Sequence, residues 1–548
     1  MNAARLQETP PLPLSRRSKG TRIRLAVAGF LLAVVGLVVH QASYWYWTSD
    51  DAFITFRYSE NLANGLGAVF NPGEKVEGYT NFLWMIILSA FYRAGVNIVL
   101  TAKLLGAACA IVTLFLSAAL TRYLQGRWTL AAIITPMLLA STPSYTAWSV
   151  AGLETSLFTM LITVAVWRFS VEQERSCVVR WSGMLLALAS MTRPEGVLIF
   201  LLLLGFSTVR VAVRERSSNM GVAGQELRWV LMFLAIAIPY MVWRWSYYGY
   251  LFPNTFYVKS GRGLAQTLGG VLYVTAGIRK HGGMLFHILA LVPAIWGPLR
   301  ARAAPFVIVI LGWQLYDVYK GNDVLELFRF FVPILPLVYS LAVVALVQLY
   351  ELAEVYLPAR GTTKTLLALF VAGTVATNLV MSYASRDQRI QLKEYQLQIR
   401  IDEAEFRLYA RRLLEIAPDG ASIALLDAGV IPYVTRWYTI DRFGLCDVYI
   451  AHSKPRGRLG EKFDAAYVLS RQPVFIQTKV SAQMEEKGQI HLGWPGDAEL
   501  FANARFRKEY VRLEDPELDG FFVRREMVSQ LRLGPHTPTG RAQERQGQ

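Results

Sequence analysis

The segment Asp50-Asp51-Ala52-Phe53-Ile54-Thr55-Phe56-Arg57-Tyr58 closely follows the first apolar stretch of the chain that is long enough to cross a membrane. The spacing of Phe53, Phe56 and Leu62 predicts a short amphipathic helix along the membrane interface, with both acids near its positive N-terminal end. Helix capping would explain one aspartate, but a single cap needs only one side chain. Paired acids at the membrane surface suit the removal of a proton from a hydroxyl beside an anionic lipid head group.

The composition is that of a polytopic membrane protein. Hydrophobic residues make up 53% of the 548 positions, and the mean hydropathy is +0.32, more than one soluble core requires. Residues 1–22 are basic and precede an apolar run at 23–42. The positive-inside rule therefore predicts a cytoplasmic N-terminus. A cleaved signal peptide is the alternative, but the run is long, no Ala-x-Ala site follows it, and Trp45 and Trp47 suit an interfacial anchor, so we expect an uncleaved first helix.

The net charge of +16 raises the question of nucleic acid binding. The basic residues are scattered through loops and a tail, with no aromatic stacking platform between them. We therefore exclude nucleic acid as a partner and expect anionic membrane lipids instead.

The hydropathy pattern predicts about eleven membrane crossings. They lie at roughly 23–42, 81–96, 102–121, 129–147, 153–169, 183–205, 228–246, 286–299, 304–320, 328–349 and 365–382. Counting crossings from an outer loop at 43–80 puts the segment 247–285 and the C-terminal region on that same side. The count also puts Glu154 and Arg302 inside, and Arg122 and Arg127 outside, where basic residues are disfavoured.

The chain changes character after the predicted membrane module, 23–384. Residues 385–532 predict an extramembrane α/β domain, with a charged helix at 395–416 and apolar runs at 422–426, 465–469 and 474–476 that read as short strands. The last segment, 533–548, is rich in polar residues, Pro and Gly, and is expected to be a disordered tail.

Several polar groups near the predicted outer surface are candidates for binding a sugar or a phosphate. Lys259 suits a phosphate and Tyr257 a stacked sugar ring, while Asp323 and Arg329 supply a further carboxylate and cation. Arg193 and Glu195 interrupt an apolar run, where a structural ion pair and a functional one are equally good explanations. The outer loop adds sugar or acceptor candidates at Glu77, Tyr79, Asn81 and Trp84.

Other common chemistries lack their usual motifs. The chain has no Walker loop, HExxH or GxSxG sequence, and its six histidines do not cluster. Its three cysteines are far apart and show no zinc-binding spacing. No metal site is predicted, although the sequence does not exclude a divalent ion as a cofactor.

The chain resembles bacterial GT-C glycosyltransferases of the AftB arabinofuranosyltransferase type. The resemblance rests first on the Asp50 segment, on Val69-Phe70-Asn71-Pro72-Gly73-Glu74 and on Val76-Glu77-Gly78-Tyr79-Thr80-Asn81-Phe82-Leu83-Trp84. Shorter matches follow at Gly152–Thr155, Thr192–Gly196, Pro253–Thr255 with Lys259, Arg329–Phe330 with Pro333, Asp427–Gly429, Ile440–Asp441 and Gly444–Leu445. Where Gly-Gly-Asp is expected, this chain has Gly321-Asn322-Asp323.

The resemblance implies an α-helical GT-C-like membrane protein of the bacterial inner membrane, with its C-terminal domain periplasmic or extracellular. It implies a transferase that moves a sugar, with D-arabinofuranose favoured, from a polyprenyl-phosphate donor to a glycan, lipid-linked or protein acceptor. Asp50 or Asp51 would be the catalytic carboxylate. Arg57, Arg193, Lys259 and Arg329 would contact the donor phosphate. A carboxylate acting as base gives inversion and one acting as nucleophile gives retention.

A transporter or flippase of a lipid-linked saccharide is the alternative, since it would also contain broken helices and buried charges. Transporters usually hold their substrate near the bilayer midplane, between repeated halves. Here the densest polar cluster lies in an outer loop, and the halves do not repeat. The pattern therefore favours an enzyme.

Overall fold

The computed structural model describes residues 16–356 and 404–532, apart from 128, 130, 176, 178, 215–219, 260–262, 296–298, 322, 324, 326, 454–461 and 490–493; positions 365, 369 and 373 are also described. The predicted span at 365–382 lies almost wholly outside this set. The predicted tail at 533–548 lies entirely outside it.

Most of the described residues between 16 and 356 are helical because apolar, helix-forming runs alternate with Gly, Pro and polar breaks. The helices are α1 Arg16–Ala42, α2 Asp50–Ala63, α3 Phe82–Arg93, α4 Ile98–Gln125, α5 Ala131–Ser141, α6 Pro143–Val150, α7 Thr155–Arg175, α8 Trp181–Thr192, α9 Glu195–Arg214, α10 Met220–Tyr248, α11 Asn254–Lys259, α12 Gly263–Lys280, α13 Gly283–Ile295, α14 Arg300–Lys320 and α15 Leu335–Tyr356, with a 3-10 helix at Arg329–Ile334 before α15. Their packed faces form one large apolar core.

The structure confirms a polytopic α-helical membrane protein, but not the predicted number of crossings. Within the described part of the chain, six helices are long and apolar enough to cross a membrane, or seven if the bent pair α6 and α7 forms one span. Four shorter apolar helices, α3, α5, α8 and α13, fall below that length. Sequence windows counted each apolar run as a full crossing, although several runs make helices of only 11 to 13 residues.

The predicted crossing at 81–96 is wrong. Helix α3 is only 12 residues long, and at its end Arg93 Nη1 donates to the carbonyl of Ala63, which closes α2. Its other end begins beside Asn81, whose side chain bonds Thr55 of α2. Both ends of α3 therefore lie beside α2, and the chain does not change sides there.

Without a crossing at 81–96, the basic C-terminal end of α4 is assigned to the opposite side of the membrane. Arg302, at the start of α14, packs its guanidinium 5.7 Å from the ring of Tyr123 and pairs with Glu174 at the end of α7. Arg127 pairs with Glu351 near the end of α15. The end of α4, with Arg122 in its last turn and Arg127 just after it, is thus on the same side as Arg302. This removes the conflict with the positive-inside rule.

The predicted helix after the first span is confirmed as α2, but its predicted position along the lipid interface is wrong. Eleven of its 14 residues are buried. It packs between α3 and a short helix of the C-terminal domain, Val430–Thr435. Apolar spacing predicted the helix, whereas the element that covers it is more than 360 residues away in sequence.

The C-terminal region is the predicted α/β domain. A helix at 404–416 precedes five strands, β1 Ser422–Leu425, β2 Tyr438–Asp441, β3 Phe475–Gln477, β4 Tyr510–Arg512 and β5 Phe521–Arg524. The further helices are Val430–Thr435, Val448–His452, Ala465–Ser470, Ala482–Glu486, Pro495–Ala502 and Ala504–Glu509, with 3-10 turns at Pro516–Leu518 and Arg525–Gln530.

The strands form one sheet in the order β2-β1-β3-β5-β4. β1 pairs in parallel with β2 and β3, and the β3–β5 and β5–β4 pairs are antiparallel. The predicted strands at 422–426 and 474–476 are confirmed. The one at 465–469 is wrong, because the Asp464 side chain accepts the amide of Tyr467 at 2.9 Å and starts a helix, as N-cap aspartates do.

Candidate active site

Asp51 is the more open of the two adjacent acids. It lies in the first turn of α2, and its side chain is 44% exposed. One oxygen, Oδ2, is 3.8 Å from Nη1 of Arg329. The amides of the first helical turn further favour a negative charge there. Asp51 is therefore a carboxylate that a substrate can reach.

Asp50 is bound to the C-terminal domain. Its Oδ1 accepts the backbone N–H of Val430 at 2.8 Å, and a Cβ on Gly429 would collide with the Asp50 carboxyl. Burial, reinforced by the nearby charge of Asp427, raises the pKa of Asp50 to about 8. The two neighbours thus have different environments: Asp50 fixes α2 to the C-terminal domain, and Asp51 faces Arg329.

Two predicted cations lie beside Asp51. Arg329 begins the 3-10 helix before α15 and forms a second ion pair with Asp323, at 3.2 Å. Lys259 ends α11; burial lowers its pKa, and the charges of Asp51 and Asp323 oppose that effect. The structure therefore brings together Asp51, Lys259, Asp323 and Arg329 from three separate parts of the chain.

A third cation, Lys320, was missed by the sequence analysis. Its buried Nζ has no hydrogen-bond partner among the described residues and contacts the ring of Phe330. It lies within electrostatic range of Asp323 and Glu195. The sequence did contain a signal for this residue. Lys320 follows Asp317 by about one helical turn at the end of an apolar run, where ionisable residues are costly.

Arg193 forms structural ion pairs next to this cluster. It pairs with Glu195 at 3.1 Å and with Glu154 at 2.7 Å. Glu154 also accepts a hydrogen bond from Asn81 at 2.8 Å. The predicted inside position of Glu154 is therefore wrong: it lies with Asn81 next to α2, because α6 and α7 meet at a bend of 117°.

Arg57 does not fit the phosphate role that the resemblance implied. It is 2% exposed. Its guanidinium donates to the carbonyls of Phe70, Pro432 and Trp437, and also to the side chains of Asn71 and Thr439. These bonds use all five of its N–H donors. Arg57 joins α2 to the C-terminal domain instead.

Three of the predicted sugar-binding side chains are engaged within the protein. Glu77 forms a 2.6 Å ion pair with Arg244 of α10, which the sequence analysis missed. The Tyr79 hydroxyl bonds that of Tyr248 at 2.9 Å, and Trp84 Nε1 donates to the carbonyl of Gly152 at 3.1 Å. All three are buried. These side chains shape the loop, and they do not present polar groups to a ligand.

Tyr257 remains a candidate for sugar contact. It is partly exposed, and its ring centroid lies 4.2 Å from that of His452 in the C-terminal domain.

Across the residues that the structure describes, no group of three metal-ligating side chains converges.

The fold is shared with a solved membrane protein. The apo structure of ArnT from Cupriavidus metallidurans aligns with a TM-score of 0.50 and 16% sequence identity, covering 78% of this chain and 86% of that one. ArnT has the GT-C fold. The chain is therefore a polytopic membrane protein of the GT-C fold.

Two curated relatives are more specific. Proteins named terminal beta-(1->2)-arabinofuranosyltransferase from Mycobacterium tuberculosis and Corynebacterium glutamicum are 25% and 28% identical over 244 and 270 residues. The matches cover 42% and 46% of this chain, but only 37% and 38% of those relatives. The model of a domain of unknown function, DUF8728, matches residues 390–519.

Proposed function

We propose that this protein is a membrane glycosyltransferase that moves a sugar from a polyprenyl-phosphate donor to an acceptor hydroxyl. The observation that carries the proposal is the half-exposed Asp51 beside Lys259 and Arg329. The names of the two curated relatives favour D-arabinofuranose as the sugar. The acceptor is a glycan, a lipid-linked saccharide or a protein.

The charges suit this reaction. As the sugar leaves, its anomeric carbon becomes positive and the lipid phosphate gains negative charge. Lys259, Arg329 and Lys320 would stabilise the phosphate, and Asp51 would face the reacting carbon or the acceptor hydroxyl. Arg193 already has two carboxylate partners, so its role would be to hold the cluster in place.

The roles of the two aspartates would differ. Asp51 would remove the acceptor proton or attack the sugar, whereas Asp50 would fix the start of α2 against Val430. The amide hydrogen bond to Asp50 needs only an oxygen acceptor, so asparagine can replace it. Asp51 needs its charge.

The first test is transfer by purified protein in detergent, with a panel of polyprenyl-phosphate sugars and candidate acceptors. We expect Asp51→Asn to lower the rate by roughly 10² to 10⁴ and Asp50→Asn to retain most activity. Asp419→Asn is the matched control, because that acid is 95% exposed on the C-terminal domain. Full turnover by Asp51→Asn would refute the proposal.

A second assay, in proteoliposomes, separates the enzyme from a flippase. A transferase yields free polyprenyl phosphate and a glycosylated acceptor. A flippase moves the intact lipid across a vesicle bilayer and breaks no bond. Lipid movement in proteoliposomes without sugar transfer would therefore support the alternative.

A further inference from the structure

The sheet of the C-terminal domain contains a topological switch point. β1 lies between β2 and β3 and is parallel to both. The chain leaves β1 towards β2 on one side and later returns to β3 on the other. In open α/β sheets, ligands bind in the crevice outside the carboxyl ends of two such strands.

An ion pair spans that crevice. Asp427 follows β1 and Lys479 follows β3, and Lys479 Nζ lies 2.6 Å from Asp427 Oδ2. Their side chains are 31% and 46% exposed, whereas the adjacent Leu426, Ala428 and Thr478 are buried. An exposed ion pair contributes little to stability, so holding the sheet together does not account for it.

The crevice lies next to the start of α2. Asp427 acts electrostatically on Asp50, and Val430, three residues further on, donates its amide to Asp50. The helix at 404–416 forms a side wall, with the Phe406 ring 5.7 Å from Lys479 Nζ. Arg407 extends from the same helix to the ring of Phe53 in α2. The first turn of α2, which carries Asp51, therefore lies next to this crevice.

We propose that the crevice between the carboxyl ends of β1 and β3 binds the sugar acceptor, with Asp427 and Lys479 holding neighbouring hydroxyls. This inference rests on the proposed function. A carboxylate accepts hydrogen bonds and an ammonium donates them, so together they match a pair of hydroxyls. The half-buried Phe406 adds an apolar face of the kind that sugar rings contact.

The chemistry of the pair defines the class of acceptor. The negative charge of Asp427 and the positive charge of Lys479 offset each other, so the crevice does not select a charged ligand. The anionic donor is instead matched by Lys259, Arg329 and Lys320. The acceptor that fits is therefore an uncharged, polyhydroxylated glycan. Its reacting hydroxyl would lie near Asp51.

The test compares acceptor and donor kinetics in variants of the pair. We expect Asp427→Asn and Lys479→Met each to raise the acceptor KM by about tenfold to a hundredfold, the loss expected for a hydrogen bond to a charged group. The donor KM should stay within about twofold of wild type. Asp419→Asn is the control, with neither constant changed. An unchanged acceptor KM in both variants would overturn the inference.

A second variant separates binding from structure. The double exchange Asp427→Lys with Lys479→Asp restores the ion pair but reverses its geometry towards a ligand. A purely structural pair would be rescued by this exchange, with the acceptor KM back at the wild-type value. We expect the raised KM to persist.

Direct binding keeps the inference independent of turnover. Saturation-transfer difference NMR would use methyl glycosides of short neutral pentose and hexose oligosaccharides, without donor. Signal with wild type that is lost in Asp427→Asn supports the inference even if no transfer is found, in which case only the proposed function fails. No signal with any of these glycans, in a protein that transfers sugar to another acceptor, refutes the inference alone.

Discussion

At the scale of single residues, Asp50 and Asp51 are neighbours in one motif but have different environments in the structure. The sequence places Asp50 and Asp51 together and offers no means of choosing between them. The choice depends on Val430, because its amide binds Asp50 and leaves Asp51 open. No local pattern in the sequence could predict a partner 380 residues away.

Asp50 also predicts a pH dependence of stability. Its folded-state pKa is raised to about 8 by burial and by Asp427, above the unfolded value near 3.9. Between about pH 4 and 8 the folded state holds a proton that the unfolded state has lost, so this acid lowers the free energy of unfolding as the pH rises.

We therefore expect Asp50→Asn to be more stable than wild type at pH 8, and the difference in melting temperature to vanish towards pH 4. Asparagine still accepts the Val430 amide, and it cannot ionise. Thermal unfolding of the detergent-purified proteins from pH 4 to 8 measures this. A difference that stays constant with pH would contradict the assignment.

Arg244 predicts a different effect, because it neutralises the buried Glu77. Burial raises the pKa of Glu77 even with its partner present. Arg244→Met should destabilise the protein by about 3–5 kcal/mol, since it leaves an unpaired buried carboxylate. The double variant with Glu77→Gln should recover much of that loss. The melting temperatures of both variants test the prediction, and equal losses would contradict it.

At the scale of elements, the bend between α6 and α7 positions Glu154. Gly152 adopts a φ of 90° within the bend, a conformation that favours glycine. A Cβ there would lie 3.1 Å from Phe56 and 3.2 Å from Ala52, both in α2. The bend and the helix that carries Asp51 therefore fit closely against each other.

Gly152→Ala should cost about 1–3 kcal/mol and reduce sugar transfer by disturbing the start of α2. Gly205→Ala in α9 is the matched control, since a Cβ there meets nothing within 4 Å. It should be neutral or slightly stabilising. Melting temperature and transfer rate are the measurements, and equal behaviour of the two variants would count against the role of the bend.

The elements also show how far the sequence could predict the fold. Apolar periodicity was enough for α2 and for strands β1 and β3. It failed at α3, where an apolar run of span-like composition makes a short helix that returns to α2. It failed again at Ala465–Ser470, where a capping aspartate outweighed a strand-like pattern. Helix length determined the structure in the first case and N-terminal capping in the second, and apolar content determined neither.

At the scale of the whole molecule, the candidate site residues fall into two groups, those clustered around Asp51 and those bonded to other elements of the protein. Arg329 forms ion pairs with both Asp51 and Asp323, and Lys259 lies within electrostatic range of the same two acids. Arg57, Glu77 and Trp84 are instead bound within the protein. Sequence gives the chemical type of a side chain, but only packing decides whether that group faces a ligand or another element.

The fold predicts an orientation that labelling can test. Asp419 belongs to the domain beside Asp51, and Arg127 lies at the opposite end of the bundle. In a background without Cys109, Cys177 and Cys446, we expect Asp419→Cys to react with an impermeant maleimide in intact cells. Arg127→Cys should react only after permeabilisation. The reverse pattern would place Asp51 in the cytosol.

The sandwiching of α2 between α3 and Val430–Thr435 has a consequence for biosynthesis. Val430 lies 380 residues after Asp50 in the chain, and its domain must reach the same side of the bilayer as Asp50. Until then the guanidinium of Arg57 and the carboxyl group of Asp50 lack the groups that bury them. A nascent chain that has not reached Val430 would therefore lack this setting of α2, and the proposed activity would arise only after the C-terminal domain has been made.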